Sequence, residues 1–372
     1  MQIPIFELER FQSLYEHSVD FNLSESGVHP LTTRELAQGD DLSWLLDVRL
    51  GYTQTNGPVQ LRERIAELYP SANLENVLVT TGTIEANFLC TWRLLAPGDE
   101  LVYMLPNYVQ IGGIAETLGV EVKPFYLQES AGWQPDLAAL ERLITPRTKM
   151  IAVCNPNNPT GALLSRESRS KIIALAEKAN AWLLVDEIYR GAEHSGKLTE
   201  SFFGSYERTI VTGGLSKAFG LPGLRIGWVL GPPDLVESLW AAKDYSSITA
   251  ATLSYELATY ALEPAKRAWL MKRNLGITAN NLRVLQTWIA DHDGLLSLAP
   301  PKAGAMAFVR YRLELPSLEL ADKLHREKSV LVVPGEHCDM DNFLRLGYGL
   351  EQAAFTEALG RLSDTFHSLQ TA

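Results

Sequence analysis

Seven short apolar runs recur between Val77 and Leu230: VLVT (77–80), ELVYM (100–104), VEVKPF (120–125), KMIAVC (149–154), AWLLV (181–185), TIVT (209–212) and RIGWVL (225–230). Several are apolar throughout, as strands covered on both faces are. Helix-like patterns lie between them, among them residues 84–95, 136–143 and 165–178. This alternation predicts an α/β fold with a doubly wound, mostly parallel seven-stranded sheet.

The pattern changes after Pro233. A helical stretch covers about residues 250–290, and three strand-like runs follow it, AMAFVRY, SVLVV and FLRLG, before a final helix from about Glu351. These elements predict a smaller α+β domain. Because 372 residues exceed what one compact core usually organises, we expect a large domain (51–249) and a C-terminal small domain (250–372). The N-terminal segment (1–50) is expected to contribute to the small domain.

The composition excludes several classes of function. The chain is 46% hydrophobic and 21% charged, with a net charge of −11 and no basic run, which argues against nucleic acid and anionic membranes as partners. No apolar stretch approaches the ~20 residues of a membrane span, and the N-terminus lacks a signal-peptide pattern, so we expect a cytoplasmic protein. Cys90, Cys154 and Cys338 match neither a zinc site nor a disulfide framework, and no metal is expected.

The strongest local motif is Gly214-Leu-Ser-Lys217-Ala-Phe-Gly220-Leu-Pro-Gly223-Leu-Arg225-Ile-Gly227, which begins where a predicted strand ends. A lysine in a tight loop can form an imine with an aldehyde, and glycines let the backbone approach a ligand closely. Arg225 offers a planar fork suited to a phosphate. Taken alone, the lysine is equally compatible with an incidental position in a surface loop.

Three further motifs follow predicted strands. Asn155-Pro-Asn-Asn158-Pro-Thr-Gly161 is typical of a turn. Asp186 ends an apolar strand, where ligand sites of open α/β sheets lie, and its carboxylate suits either a protonated ring nitrogen or a helix N-cap. Thr80-Thr81-Gly82-Thr83 leads from a strand into a helix, which indicates an anion site or an ordinary capped helix.

Taken together and in this order, the four motifs resemble the fold-type I aminotransferases of class I/II. Their spacing covers the chain from about Gly51 to Gly347, and the lysine motif fits the family signature at every constrained position. The resemblance implies pyridoxal 5'-phosphate (PLP) as cofactor and an amino acid and a keto acid as substrates. It also implies a homodimer whose active sites are shared across the interface.

The resemblance assigns roles residue by residue. Lys217 matches the lysine that carries the cofactor as an imine and shuttles the proton, and Asp186 matches the acid paired with the pyridine nitrogen. Tyr189 and Asn158 match the pair that hydrogen-bonds the cofactor's phenolic oxygen, and Asn158 also counts among the substrate residues. The remaining matches are the phosphate cup (Gly82, Thr83, Ser216, Arg225), the aromatic stacked on the ring (Tyr108), a tyrosine reaching the partner's phosphate (Tyr52) and the arginine for the substrate α-carboxylate (Arg345).

One position departs from the common pattern of the family. Many relatives carry a serine three residues before the lysine, where this chain has Gly214, although the signature allows glycine. A hydroxyl there would give the phosphate another hydrogen bond. We therefore expect Gly214→Ser to tighten cofactor retention modestly, unless a positive φ at Gly214 strains the loop.

The segment Ser24-Glu25-Ser26-Gly27-Val28-His29, followed by TREL (33–36), is similar to the start of capreomycidine synthase, a PLP enzyme that cyclises a hydroxylated arginine. KDY (243–245) is similar too. This likeness implies that Gly27 lies by the substrate carboxylate and His29 near the substrate. His29 precedes Pro30 and is also compatible with a turn histidine.

Three functions remain to be weighed. Transamination through Lys217 is the main prediction, and a PLP-dependent lyase or cyclase that acts at the β-carbon would use the same Lys217, Asp186 and Arg345. A PLP-binding regulatory domain fused to a DNA-binding module would need a basic winged-helix region ahead of the fold. The roughly fifty residues before Gly51 show no such pattern.

Overall fold

A computed structural model describes residues 3–370 of the chain. The strands are β1 (Phe21–Asn22), β2 (Val77–Thr81), β3 (Glu100–Leu105), β4 (Glu121–Gln128), β5 (Gln134–Pro135), β6 (Thr148–Cys154), β7 (Trp182–Asp186), β8 (Thr209–Gly214), β9 (Ile226–Leu230), β10 (Leu296–Leu298), β11 (Met306–Tyr311), β12 (Val330–Leu331), β13 (Val333–Pro334) and β14 (Phe343–Gly347). The α-helices are α1 (Glu7–Tyr15), α2 (Thr33–Ala37), α3 (Val59–Ala66), α4 (Thr83–Leu94), α5 (Gln110–Thr117), α6 (Leu137–Leu143), α7 (Arg166–Ala179), α8 (Pro233–Lys243), α9 (Thr252–Ala261), α10 (Pro264–Asp291), α11 (Ser317–Lys328) and α12 (Gln352–Gln370).

The predicted sheet is confirmed, with one small addition. Its strand order is β2-β9-β8-β7-β6-β3-β4-β5, and each of the seven predicted runs supplies one strand. The eighth strand, β5, is a two-residue antiparallel addition to β4. Strands β4, β3, β6, β7 and β8 pair in parallel, whereas β9 runs antiparallel to both β8 and β2. The sheet is therefore mostly parallel, as predicted.

Both faces of this sheet are buried, which explains the uninterrupted apolar runs. In β6, Ile151 and Val153 belong to one hydrophobic core cluster, whereas Met150 and Ala152 belong to another. Successive side chains of a strand point to opposite faces, so a strand that is covered on both sides needs apolar residues at every position.

The smaller part of the protein has its own core. The order of its four-stranded antiparallel sheet is β10-β11-β14-β13, and α10, α11 and α12 contribute Leu285, Leu324 and Phe355 to the cluster beside it. The run SVLVV divides into β12 and β13, and β12 pairs in parallel with β1 of the N-terminal segment. This pairing agrees with a contribution of residues 1–50 to the small domain; the exact boundaries stay a prediction.

Parallel strands bring distant loops to one edge of the large sheet. The carboxyl ends of β6, β7 and β8 carry Asn155, Asp186 and the turn that contains Lys217, and β2 ends beside them at the start of α4. No helix among residues 3–370 is long and apolar enough to cross a membrane.

Candidate active site

A cavity of about 290 Å³ lies at this edge, between the large sheet and the N-terminal segment. Most of the residues that the sequence selected line it. They are Thr83, Tyr108, Asn158, Asp186, Tyr189, Ser216, Lys217, Arg225 and Arg345. Residues from both ends of the chain therefore meet in one place.

Asp186 is the last residue of β7 and is buried, with 9% of its surface exposed. Its Oδ2 accepts a hydrogen bond from Asn87 Nδ2 at 2.9 Å, and its Oδ1 accepts one from the Ile188 N–H at 3.0 Å. Burial raises the pKa of the Asp186 carboxyl, and these two hydrogen bonds only partly oppose the rise. A cation placed against this carboxylate would relieve the cost of its burial.

Lys217 lies in the turn after β8, and its Nζ donates to Glu25 Oε1 at 2.5 Å. The same oxygen accepts from the N–H groups of Ser26 and Gly27, at 2.8 and 2.9 Å. Burial alone would raise the pKa of Glu25, but Lys217 and the Gly27 N–H outweigh it and hold the pKa at about 2. Glu25 is thus an anion at neutral pH, directly beside the lysine.

Arg345 lies in β14 and is 2% exposed. Its Nη1 donates to Asn158 Oδ1 at 3.0 Å, and its Nη2 donates to the Ser24 carbonyl at 2.6 Å. Its Nε has no hydrogen-bond partner among residues 3–370. Because a buried donor without a partner is costly, this guanidinium is suited to an anionic ligand that completes its hydrogen bonds.

The N-terminus of α4 faces Arg225 across Gly82. Gly82 has φ +78°, and an added Cβ would lie 2.5 Å from Arg225 Nη2, so only glycine permits this approach. The first N–H groups of a 12-residue helix, a guanidinium and Ser216 together make an anion cradle. The Thr83 hydroxyl donates to the Gly213 carbonyl at 2.8 Å, which leaves the Thr83 backbone as its donor to an anion.

Two tyrosines line the cavity with buried hydroxyl groups. Tyr189 donates to Ser26 Oγ at 2.8 Å, and Tyr108 donates to Glu9 Oε1 at 2.6 Å. Burial raises the pKa of both phenols, and the Glu9 carboxylate adds to the rise at Tyr108. Both tyrosines are therefore neutral hydrogen-bond donors.

The space around Gly214 argues against the expectation that Gly214→Ser would tighten cofactor retention. Its φ is not positive, so backbone strain is not the obstacle. A Cβ at Gly214 would instead lie 2.6 Å from Thr83 Oγ1 and 2.9 Å from the Ile226 carbonyl oxygen. Since one of these atoms belongs to the backbone, a serine would displace the strand or Thr83 rather than offer a new hydrogen bond to a phosphate.

Besides Gly82, which lies against Arg225 at the start of α4, three predicted residues do not line the cavity. His29 is outside the cavity lining, and its ring contacts Arg273 (3.1 Å) and Glu351 (3.1 Å), so its position near the substrate stays a prediction. Gly27 lies beside Lys217, and its N–H is bound to Glu25 rather than free for a substrate carboxylate. Tyr52 is 88% exposed and takes no part in the site of its own chain.

The sequence reasoning missed seven polar residues of this site: Glu9, Gln12, Ser13, Glu16, Glu25, Ser26 and Asn87. Asn87 follows Thr83 by four positions on α4 and hence lies on the same helix face, a spacing that identifies it in retrospect. Glu25 and Ser26 lie in the segment compared with capreomycidine synthase. Nothing local in the sequence distinguishes Glu9 from other exposed helix acids.

The residues fit PLP. A buried carboxylate without a cationic partner among residues 3–370 suits a protonated ring nitrogen, the helix end with Arg225 suits a phosphate, and Lys217 lines the same cavity. These features define a PLP-dependent enzyme. The chain belongs to the aminotransferase class I and II family, whose model matches residues 46–362.

The chain is similar both to aminotransferases and to PLP-dependent enzymes that form rings. Capreomycidine synthase from Streptomyces vinaceus is 31% identical over 349 residues, which cover 92% of this chain and 89% of that protein. A PLP-dependent aminotransferase from Streptococcus suis has a TM-score of 0.93 and 31% identity, covering 99% of each chain. The PLP-dependent cyclase OrfR has a TM-score of 0.90 and 26% identity, covering 99% of this chain and 98% of its own.

Proposed function

We propose that the protein transfers an amino group between an α-amino acid and a 2-keto acid. The observation that carries the proposal is that Lys217, Asp186 and Arg345 line one cavity, each with a different task to perform. PLP, when bound, supplies the carbonyl group and the electron sink that this reaction needs.

Each of these residues performs a task that its surroundings support. Arg345 binds the substrate α-carboxylate through its unpartnered Nε and is oriented by Asn158. Asp186, held by Asn87, keeps the proton on the ring nitrogen. The Lys217 amine removes the α-proton of the amino acid and would return a proton to the cofactor's carbonyl carbon. Proton transfer by a positioned base typically accelerates a reaction by about 10²–10⁴-fold. Asn158 would donate to the phenolic oxygen of PLP through its Nδ2, and Tyr189 would do so after its hydroxyl leaves Ser26.

The experiment that tests this proposal follows the nitrogen atom. The holoenzyme is incubated with a panel of ¹⁵N-labelled L-amino acids and 2-oxoglutarate, and the products are analysed by mass spectrometry. Transfer places the label in glutamate and leaves a keto acid. The proposal is wrong if every consumed amino acid retains its label.

A second candidate, a lyase or cyclase that acts at the β-carbon, is favoured by the 31% identity to capreomycidine synthase. The Glu25 carboxylate beside Lys217 supports it, because an anion at this position can accept a proton while the lysine serves the leaving group. In the same assay a cyclised or substituted β-hydroxylated substrate would lose water and keep its ¹⁵N, whereas β-elimination would release the ¹⁵N as ammonium together with a keto acid. Neither reaction places the label in glutamate.

We further propose a homodimer in which Tyr52 reaches the phosphate of the neighbouring subunit. Leu50 and Tyr52 are 81% and 88% exposed, and Tyr245 is 85% exposed. Gly51 lies against Thr252, whose hydroxyl donates to its carbonyl at 2.7 Å, so the segment is held in place beside further partly exposed apolar residues, Ile248 and Leu253. A fixed apolar surface of this kind is typical of an interface between subunits.

A further inference from the structure

One face of α1 forms part of the cavity wall, and all of it is polar. Glu9, Gln12 and Ser13 line the cavity, as does Glu16, just after the helix ends. The spacing of 0, 3, 4 and 7 positions places them on one side of the helix. Glu9, Gln12 and Glu16 are half-buried and Ser13 is exposed, so this face borders both the cavity and the solvent. The apolar residues of α1 point elsewhere: Leu8 is buried in the main core and Phe11 packs against His337.

The cavity lining contains more acidic groups than the proposed reaction uses. The cations of its lining are Lys217, Arg225 and Arg345, and the proposed function assigns them to the cofactor carbonyl, the phosphate and the α-carboxylate. Asp186 is assigned to the ring nitrogen. Three carboxylates remain without a role, and no cation remains to match them: Glu9, Glu16 and Glu25.

The present partners of these carboxylates leave room for a ligand. Glu9 accepts from the neutral Tyr108 hydroxyl, and Glu16 lies 3.4 Å from the exposed His17. Glu25 loses its cation when Lys217 engages the cofactor, and it then keeps only two backbone N–H donors. The unpartnered Nε of buried Arg345 independently indicates that an anionic end of a ligand binds in the same cavity.

We propose that the substrate is a basic α-amino acid, whose side-chain guanidinium or ammonium group is bound by Glu9 and Glu16 of the α1 face while Arg345 binds its α-carboxylate. Glu25, beside Lys217, adds to the negative charge of the same cavity. The span of the acidic face, about 10 Å from Glu9 to Glu16, suits a long and flexible side chain. This inference rests on the proposed amino-acid reaction.

The test compares substrates that differ only in side-chain charge. The holoenzyme is assayed with pyruvate as the keto acid, because transfer from glutamate to 2-oxoglutarate gives no net product. The amino acids are L-arginine, L-lysine, L-glutamate and L-citrulline, the last being a neutral counterpart of arginine with the same shape. We expect kcat/KM for arginine or lysine to exceed that for citrulline and glutamate by at least about tenfold, as one charge-assisted contact supplies. The double variant Glu9→Gln/Glu16→Gln should remove most of this preference by raising KM for the basic substrates alone.

A matched control variant and a binding measurement show whether the double variant loses recognition of the side-chain charge or is altered in its folding or turnover. Glu7→Gln neutralises an exposed acid on the same helix that does not line the cavity, and it should leave the preference unchanged. Calorimetric titration with argininic acid, which has a hydroxyl group in place of the amino group, reports binding without turnover. Its affinity should fall by about tenfold in the double variant.

The outcomes distinguish this inference from the proposed function. Faster turnover of glutamate than of arginine, with ¹⁵N transferred, overturns the substrate class and leaves amino-group transfer intact. Equal losses for arginine and citrulline in the double variant also overturn it, because they indicate a structural role for α1. Charge-dependent binding of argininic acid together with retained ¹⁵N supports the substrate class and contradicts transfer.

Discussion

Asn87 Nδ2 donates a 2.9 Å hydrogen bond to Asp186 Oδ2, although 99 positions of sequence separate the two residues. Asn87 is itself held by the Thr212 hydroxyl, which donates to its Oδ1 at 2.8 Å. The carboxylate at the end of β7 is therefore positioned by α4 and β8 together. Without Asn87, burial would raise the pKa of Asp186 further.

Asn87→Ala should lower kcat/KM by about tenfold, because one oxygen of a buried carboxylate loses a hydrogen bond worth roughly 1.5–3 kcal/mol. Asp186→Asn should cost much more, since an amide cannot stabilise a protonated ring nitrogen. Steady-state kinetics and the PLP dissociation constant measure both effects. Wild-type values for Asn87→Ala would show that Ile188 alone suffices to hold Asp186, and a loss within tenfold for Asp186→Asn would assign the nitrogen to another group.

Lys217→Ala should reduce turnover by at least about a thousandfold, because it removes the amine that moves the proton. Phosphate binding at α4 and Arg225 does not involve this amine, so the variant should still retain cofactor through equilibrium dialysis. Lys197→Ala, a change to an exposed lysine that does not line the cavity, is the control. Substantial turnover by Lys217→Ala would contradict the assignment of the active-site lysine.

Gly214→Ser should release PLP faster than the wild-type protein does. The new Cβ would collide with Thr83 Oγ1 and the Ile226 carbonyl, and the resulting shift disturbs both α4 and the turn that carries Lys217. Gly223→Ser, where an added Cβ meets nothing within 4 Å, should change little. Activity after dialysis, with and without added PLP, measures the difference. Slower release from Gly214→Ser would restore the original expectation of an additional phosphate hydrogen bond.

Arg345→Ala should raise KM for every amino-acid substrate, whatever its side chain, because the α-carboxylate is common to all. Arg345→Lys keeps the charge but loses the planar fork that also binds Asn158 and Ser24, so it should recover only part of the affinity. Kinetics over several substrates measure the effect. A loss confined to one substrate would mean that Arg345 recognises a side chain instead.

Mixed dimers test the role of Tyr52. Tyr52→Ala and Lys217→Ala should each be weakly active alone, whereas a hybrid of the two should regain one complete site. That site has Lys217 from one subunit and Tyr52 from the other. Purification through two different affinity tags isolates the hybrid, and light scattering gives its mass. A hybrid no more active than its parents would show that Tyr52 does not act across an interface.

Much of the architecture could be predicted because its cause is local. The runs that become β2, β3, β6, β7, β8 and β9 are apolar at most positions, since both faces of the sheet are buried there. Lys217 and Asp186 could be selected because motifs at the carboxyl ends of parallel strands meet at one edge of the sheet. Arg345 lies in β14 of the small antiparallel sheet and was selected only through the resemblance to the family.

The sequence by itself determined the family, the large sheet and the lysine, acid and arginine that line its edge. Only the tertiary structure decided which polar side chains complete the site. Glu25 approaches Lys217 from 192 positions away, Asn87 reaches Asp186 across the sheet edge, and His29 is held outside the cavity by Arg273 and Glu351. The physical reason is that a motif records the local path of the backbone, whereas a hydrogen bond between distant segments depends on how the whole chain packs. The same reason reversed the expectation for Gly214, whose space is limited by Thr83 and Ile226.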